Sequence, residues 1–272
     1  MTATNLSNSP TVALTQLYPL LGADQGPVDY QRLADLYAYP AGQTTVRANM
    51  VATIDGAATG TDGLSGGINN PADFVVFQVL RTLAQVVLVG AGTARKEGYR
   101  HIKAPAALNH LREASGITAP LELALVSRSG ELPASLLEQG PGLPKPIVFT
   151  TAAGRSRLLQ DHGQARVIVA ERDGSVDLPT VLERLKELGL SRILTEGGPS
   201  LLAQFIDQGL LHELCLTTVN LLHPGSSLGI TSAPAMAPQI HGADLGSLLY
   251  GDGTVLANWK IANRVPDTRR AQ

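Results

Sequence analysis

Cysteine is almost absent from this sequence. The 272 residues contain one, Cys215, which excludes a disulfide within the chain and a cluster of thiolate metal ligands. Cys215 lies between Leu214 and Leu216. Because free cysteine is among the residue types most often buried, it is predicted to be a core residue. The six histidines include no pair at helical spacing, so no metal site is predicted.

The sequence is also poor in aromatic residues and in net charge. Aromatic residues make up 4% of the chain, and the formal charge at neutral pH is −2. A nearly neutral chain without basic runs lacks the field that attracts nucleic acid. No apolar run reaches the roughly 18 residues of a membrane span, and no signal peptide is recognised. We therefore expect a cytoplasmic protein whose partner is a small molecule, with no nucleic-acid or membrane partner.

The hydrophobic residues that are present, 44% of the chain, are mainly aliphatic. From residue 44 onward, short apolar runs alternate with segments of helical spacing, which predicts an α/β fold with a mostly parallel β-sheet flanked by helices. Eight runs are predicted to be strands of one sheet. They are Thr45–Ile54, Val86–Gly90, Leu121–Ser127, Pro146–Thr150, Arg166–Ala170, Arg192–Thr195, Glu213–Val219 and Val255–Asn263.

Three segments between these strands have apolar residues at helical spacing. One begins at Pro199 and ends before Gly209, and another lies between Pro179 and Gly189. The third is predicted to carry its apolar stripe on four residues, Phe74, Phe77, Leu80 and Ala84.

Two further segments complete the predicted organisation. Residues 1–43 are predicted to be an N-terminal extension with one amphipathic helix near Leu33, docked on a main domain of residues 44–272. The segment Leu228–Gly251 is rich in Gly, Pro and Ser, and it is predicted to be a long loop.

Two predicted strands lead directly into glycine-rich turns. Val86–Val89 is followed by Gly90–Thr93, and Arg192–Thr195 is followed by Glu196, two glycines and a helix that opens with Pro199. Small residues let a ligand approach the backbone, and a helix N-terminus offers unpaired N–H groups to a phosphate. The Gly90–Thr93 turn alone is equally consistent with a tight turn, but the two segments together predict a ligand with several phosphates, such as a dinucleotide.

A third segment ends in an acidic residue. The run from Asn49 through Ile54 leads into Asp55 and Gly56, at the sheet edge where α/β proteins bind ligands. The alternative interpretation is an aspartate that caps its own turn.

Taken together and in this order, these segments resemble the pyrimidine reductases of riboflavin biosynthesis, which occur as stand-alone proteins and as the C-terminal domain of bifunctional deaminase-reductases. The resemblance extends from about residue 44 to the C-terminus. The deaminase part requires a Pro-Cys-x-x-Cys zinc site, which one cysteine cannot provide. The segments that carry the resemblance are Asn49–Gly56, Gly63–Ile68, Leu80–Arg81 with Val86–Thr93, Glu196–Leu201 and Gly209–Leu214.

The resemblance implies a dihydrofolate-reductase-like fold in residues 44–272, a homodimer, and bound NADPH. It also implies hydride transfer to the ribosylamino carbon of 5-amino-6-(5-phosphoribosylamino)uracil. Asp55 and Glu196 are the predicted catalytic residues, and Asn49, Thr53 and Ser65 are predicted to bind the substrate. The predicted cofactor residues are Gly90, Ala91, Gly92, Thr93, Gly197, Gly198, Pro199, Ser200 and Leu201, with Ser127, Arg128 and Thr150 at neighbouring strand ends for the 2′-phosphate.

The chain departs from many bifunctional members of that family. Lysine is common at the position of Asn49, tryptophan at Gly67, and a charged residue where this chain has 74–76. Two other functions are therefore kept open: a dihydrofolate or other pterin reductase on the same fold, and a dinucleotide-binding regulator without turnover. A sugar-phosphate anchor would separate the first two enzymes. The cations available nearby are Arg81, Arg95, Lys96 and Arg100.

Overall fold

The structure is a computed structural model that describes residues 10–19, 27–100, 102–138, 140–163, 165–225, 228–232 and 239–262. Strands and helices alternate along most of this chain. The strands are β1 (Thr15–Tyr18), β2 (Thr45–Thr53), β3 (Val86–Gly90), β4 (Glu122–Val126), β5 (Ile147–Thr150), β6 (Arg166–Val169), β7 (Glu171–Arg172), β8 (Ser175–Val176), β9 (Arg192–Thr195), β10 (Glu213–Val219), β11 (Gly242–Gly251) and β12 (Thr254–Ala262). The helices are α1 (Tyr30–Leu36), α2 (Pro71–Leu83), α3 (Ala91–Lys96), α4 (Asn109–Ala114), α5 (Ala134–Leu137), α6 (Ala152–His162), α7 (Leu178–Glu187) and α8 (Pro199–Asp207).

One large sheet organises the molecule. Its strand order is β1-β11-β12-β10-β2-β9-β3-β4-β5-β6, and the strands from β10 through β6 pair in parallel. The strands β12, β11 and β1 continue the sheet in antiparallel pairing, while β7 and β8 form a separate pair. The predicted α/β fold with a mostly parallel sheet is confirmed.

Both faces of the parallel part are covered, which explains the continuous apolar runs of its strands. Side chains of successive strand residues point to opposite faces, so Val86 and Leu88 enter one core cluster, whereas Val87 and Val89 enter the other. Helices α7 and α8 cover the first face, and α2 covers the second. The carboxyl ends of β2, β3, β4, β5 and β9 therefore meet at one edge of the sheet.

The predicted count of eight strands was wrong. All eight form, but the described sheet has ten strands, because β1 and β11 join it. The predicted loop Leu228–Gly251 was wrong over its last ten residues, which are β11. Gly246 lies where the pairing of β11 with β12 shifts register, and a Cβ there would lie 3.2 Å from the Asn258 carbonyl oxygen. A glycine that suggested a loop thus accommodates a β-bulge.

The N-terminal segment is attached to this sheet at two places. Strand β1 pairs with β11, and α1 forms as predicted, capped by Asp29, with Leu33 buried. The buried guanidinium of Arg47 on β2 donates to the Tyr37 carbonyl oxygen (2.6 Å) and lies over the Tyr39 ring (4.1 Å). Residues 1–9 and 20–26 lie outside the described part of the chain.

The predicted stripe of α2 was wrong at its N-terminal end. Leu80 and Ala84 are buried as predicted, but Phe74 is 50% exposed. The helix begins at Pro71, and the Asn70 side chain caps it. With this start, a face of the helix next to the predicted stripe is buried. That buried face contains Val75, Val76, Val79, Leu80 and Leu83.

Candidate functional site

The two predicted glycine turns lie against each other. The Gly90 N–H donates to the Gly197 carbonyl oxygen at 2.9 Å, and a Cβ on Gly198 would collide with the Thr93 hydroxyl. Gly197 has a φ of 90°, a conformation that favours glycine, and the Gly197–Gly198 peptide is cis. We call the residues Gly90–Thr93 and Gly197–Leu201 the glycine edge.

The glycine edge leaves backbone groups available to a ligand. Helix α8 starts at Pro199 after the N-cap residue Gly198, and no side chain caps its first turn. Unpaired N–H groups at such a start attract an anion. A Cβ added at Gly92 would meet no atom of the described residues within 4 Å, so the backbone is open there as well.

The three residues predicted for the 2′-phosphate follow the neighbouring strands. The Ser127 N–H donates to the Phe149 carbonyl oxygen at 3.0 Å, and the Thr150 hydroxyl lies 3.5 Å from the Arg128 carbonyl oxygen. Ser127 and Thr150 are buried, whereas Arg128 is exposed. Of the three, Arg128 is therefore the side chain that a ligand can reach directly.

Two adjoining cavities open beside the glycine edge. The large cavity has a volume of about 350 Å³ and the small cavity about 110 Å³. Glu196, Tyr99, Ser65 and Met50 line both cavities, which places them at the junction. The small cavity also reaches Thr93, Gly198 and Pro199 of the glycine edge.

The predicted substrate residues separate into two groups. Asn49 and Ser65 line the large cavity. Thr53 does not: it is buried, its hydroxyl donates to the Asp55 carboxylate, and it accepts from the Ala57 N–H at 2.9 Å.

The two predicted catalytic carboxylates do not come together. Asp55 lies in an exposed turn outside both cavities and accepts from the Thr53 hydroxyl and from the His223 N–H at 3.0 Å. The Thr53 and His223 hydrogen bonds lower the pKa of this carboxyl. A catalytic role for Asp55 stays a prediction, and the geometry is that of a residue that holds a turn.

Glu196 is the centre of a buried network. Its carboxylate accepts from Nε and Nη2 of the Arg81 guanidinium, each at 2.7 Å, and from the Tyr99 hydroxyl at 2.6 Å. The Phe77 ring lies 4.1 Å below the guanidinium. Burial and the negative charge of Glu196 raise the pKa of Tyr99 well above its ordinary value, so the hydroxyl keeps its proton.

The four candidate cations have different positions. Arg81 is held by Glu196, and Arg95 donates to the Glu131 carbonyl oxygen at 2.9 Å. Lys96 lines the small cavity, and Arg100, which is exposed, lines the large one. Arg100 is therefore the cation best placed at the mouth of the large cavity.

The residues of the large cavity that sequence reasoning missed include Asp73 and Tyr99. Asp73 lies in the first turn of α2 and is 3% exposed, and burial raises the pKa of its carboxyl to about 6. Asp73 gave no functional signal in the sequence, because Asn70, Pro71 and an acidic residue in the first turn are typical of a helix start.

Cys215 is buried as predicted, and burial raises the pKa of its thiol to about 12. Among the described residues, no three His, Cys, Asp or Glu side chains cluster as metal ligands would. None of the helices in this part of the chain combines the length and the apolar character that a membrane span requires.

The sequence model of the RibD C-terminal domain matches residues 44–228. The chain belongs to this family. The predicted resemblance to pyrimidine reductases is thereby confirmed at the family level. No curated protein matches the sequence significantly.

Solved structures agree with membership of the RibD C-terminal domain family. A pyrimidine reductase-like protein of Corynebacterium diphtheriae is 26% identical with a TM-score of 0.72, over 80% of this chain and 92% of that one. The riboflavin biosynthesis reductase Rib7 of Saccharomyces cerevisiae is 16% identical (TM-score 0.61), over 85% and 98% of the two chains.

A longer relative shares the same fold. The deaminase/5-amino-6-(5-phosphoribosylamino)uracil reductase of Thermotoga maritima is 19% identical with a TM-score of 0.58, and the alignment covers 81% of this chain and 57% of that one. The predicted dihydrofolate-reductase-like fold is confirmed by these similarities.

Proposed function

We propose that this chain is an NADPH-dependent reductase that converts 5-amino-6-(5-phosphoribosylamino)uracil to the ribitylamino product in riboflavin biosynthesis. The observation that carries the proposal is the position of Glu196. It lines both cavities, one of which reaches the glycine edge while the other has a mixed polar and apolar lining and a suitable size for a small heterocycle. A dinucleotide and a substrate would therefore meet beside this residue.

The glycine edge fits a nicotinamide dinucleotide. The uncapped start of α8 and the open backbone at Gly92 suit phosphate groups, and Arg128 at the neighbouring strand end suits the 2′-phosphate of NADPH. When bound, NADPH supplies the hydride. No side-chain nucleophile is required, so the chain's own residues have to orient the substrate and manage one proton.

The residues at the junction suit this proton task. Glu196 already accepts from Arg81 and Tyr99, and a carboxylate has room for a further donor. It can therefore hold a substrate hydroxyl or a water that delivers the proton accompanying hydride transfer. Asn49 and Ser65 line the substrate side, and Arg100 at the mouth suits the sugar phosphate.

An NADPH-oxidation assay tests the function. The purified chain is given NADPH with the pyrimidine ribotide, with dihydrofolate, or with neither, and the product is identified by mass spectrometry. We expect NADPH consumption matched by the ribitylamino product only with the ribotide. Turnover of dihydrofolate instead would favour the pterin reductase, and tight NADPH binding without turnover of either substrate would favour the regulator.

Three further features remain proposals. The family resemblance supports a homodimer, to be checked by light scattering at micromolar concentration, and a cytoplasmic location. The pairing of β1 with β11 and the contacts of Arg47 with Tyr37 and Tyr39 support residues 1–43 as an extension docked on a reductase domain of residues 44–272.

A further inference from the structure

Asp73 is a buried acid with an unsatisfied oxygen in the lining of the large cavity. It is 3% exposed, and Thr217 of β10 lies beside its carboxyl. Its Oδ1 is buried and has no hydrogen-bond partner among the described residues. A buried acceptor without a donor is destabilising, and a ligand that supplies the donor removes that penalty.

The other carboxylates of the large cavity already have donors. Glu196 accepts from Arg81 and Tyr99, and Glu97 accepts from the Ser65 N–H at 3.0 Å. No cation pairs with Asp73 in the part of the chain that the structure describes. Asp73 is thus the acid of this cavity whose hydrogen-bonding capacity is left open.

The lining of the large cavity includes both buried and exposed residues. Asp73 and Ile102 are buried, whereas Arg100 and Asn69 are exposed. A flat ring suits the buried residues, and a sugar phosphate suits the exposed ones. The group that reaches Asp73 is therefore the heterocycle, whose ring N–H groups are hydrogen-bond donors.

We propose that Asp73 is a specificity-determining residue that accepts a hydrogen bond from a ring N–H of the substrate's pyrimidine. The inference rests on the proposed function, because it names what part of that substrate the cavity recognises. A ring whose N–H groups are methylated would leave Oδ1 buried and unpaired and would also bring a methyl group against it, so such a ring is rejected.

Binding of two small probes tests this inference without requiring turnover. Diaminouracil carries the ring N–H groups, and its di-N-methyl derivative lacks them. Both are titrated by calorimetry into the protein with saturating NADP⁺. The variants are Asp73→Leu, which removes the acceptor at similar size, Asp73→Asn, which keeps one neutral acceptor, and Asp161→Leu, a matched control at an exposed position of α6.

We expect the wild-type protein and Asp161→Leu to bind diaminouracil at least about tenfold more tightly than the methylated probe. Asp73→Leu should lose this preference, Asp73→Asn should retain part of it, and all three variants should bind NADPH as the wild type does. The proposal is overturned if the wild type does not discriminate between the probes. It is also overturned if folded Asp73→Leu keeps the preference, or loses stability with no change in probe affinity.

The same variants separate this inference from the proposed function. If the wild type discriminates between the probes but does not reduce the pyrimidine ribotide, the reductase assignment fails and the role of Asp73 stands. If the ribotide is reduced and Asp73→Leu keeps the wild-type KM, the reductase assignment stands and the role of Asp73 fails.

Discussion

The glycine edge and the large cavity are adjacent, yet they are built in different ways. The glycine edge consists of backbone, with the Gly90 N–H bonded to the Gly197 carbonyl oxygen and Gly198 packed against Thr93. The large cavity is defined by charged side chains from separate elements, with Arg81 on α2 and Glu196 after β9. The first region should therefore be sensitive to an added Cβ, and the second to a lost charge or hydrogen bond.

The largest expected effect comes from removing a charge at the large cavity. Arg81→Met leaves Glu196 buried with only the Tyr99 donor, and breaking a buried pair typically costs about 3 kcal/mol or more of unfolding free energy. Chemical denaturation measures the loss. Arg184→Met is the matched control, because it breaks an exposed pair with Glu187 and should cost less than about 1 kcal/mol. Equal losses in the two variants would contradict the account of the Glu196 network.

A pH series sharpens the comparison at Asp73. Burial raises the pKa of this carboxyl from 3.8 to about 6, so between these values the folded protein holds the proton more tightly than the unfolded chain does. The protonated carboxyl contributes its full amount to the free energy of unfolding below about pH 4. This contribution is lost as the pH rises through 6, and the total loss is about 3 kcal/mol.

The variant Asp73→Asn lacks this dependence. The unfolding free energies of the variant and the wild type are measured from pH 4 to 8. The value for the variant minus that for the wild type should rise by about 3 kcal/mol up to about pH 7 and then stay constant. A difference that does not change with pH would mean that the Asp73 carboxyl is not buried as described.

The exposed Arg128 beside the glycine edge should affect the binding of NADPH but not that of NADH. Arg128→Ala is expected to weaken NADPH binding about tenfold and to leave NADH binding unchanged, because the guanidinium would contact the 2′-phosphate that NADH lacks. Fluorescence titration of both cofactors measures this, with the exposed Arg155→Ala as a control. A similar loss for both cofactors would place Arg128 elsewhere on the ligand.

The smallest effect is expected at Asp55. The carboxylate accepts from Thr53 and His223 and lies outside both cavities, so Asp55→Asn should cost about 1 kcal/mol of stability and leave kcat/KM within a few fold. Steady-state kinetics and a thermal melt test it together. A fall in kcat/KM of roughly 100-fold at unchanged stability would instead restore the predicted catalytic role.

The parts of the molecule that could be predicted from sequence are those that local patterns determine. The parallel strands show as apolar runs, and the glycine edge shows as two strand-to-glycine turns, because a backbone site needs consecutive small residues. Glu196 was found because it adjoins one of these turns.

The parts that could not be predicted depend on contacts between distant segments. Asp73 lies beside Thr217, which is far along the chain, while its neighbours in sequence are those of an ordinary helix start. Strand β1 is short and forms against β11, whose glycines indicate a loop until the bulge at Gly246 is seen. Thr53 followed the strand pattern, but its side chain is occupied by the turn at Asp55.

The separation of the two regions is tested most directly by titrating NADPH into Gly92→Val and Asp73→Leu. A Cβ at Gly92 meets no atom within 4 Å in the part of the chain that the structure describes, so the valine should leave the fold intact and obstruct only a ligand. We predict that Gly92→Val raises the Kd for NADPH at least about 100-fold, while Asp73→Leu and the control Ala153→Val, at an exposed position of α6, bind as the wild type does. Wild-type affinity in Gly92→Val, or an equal loss in Asp73→Leu, would contradict the assignment of cofactor and substrate to these two regions.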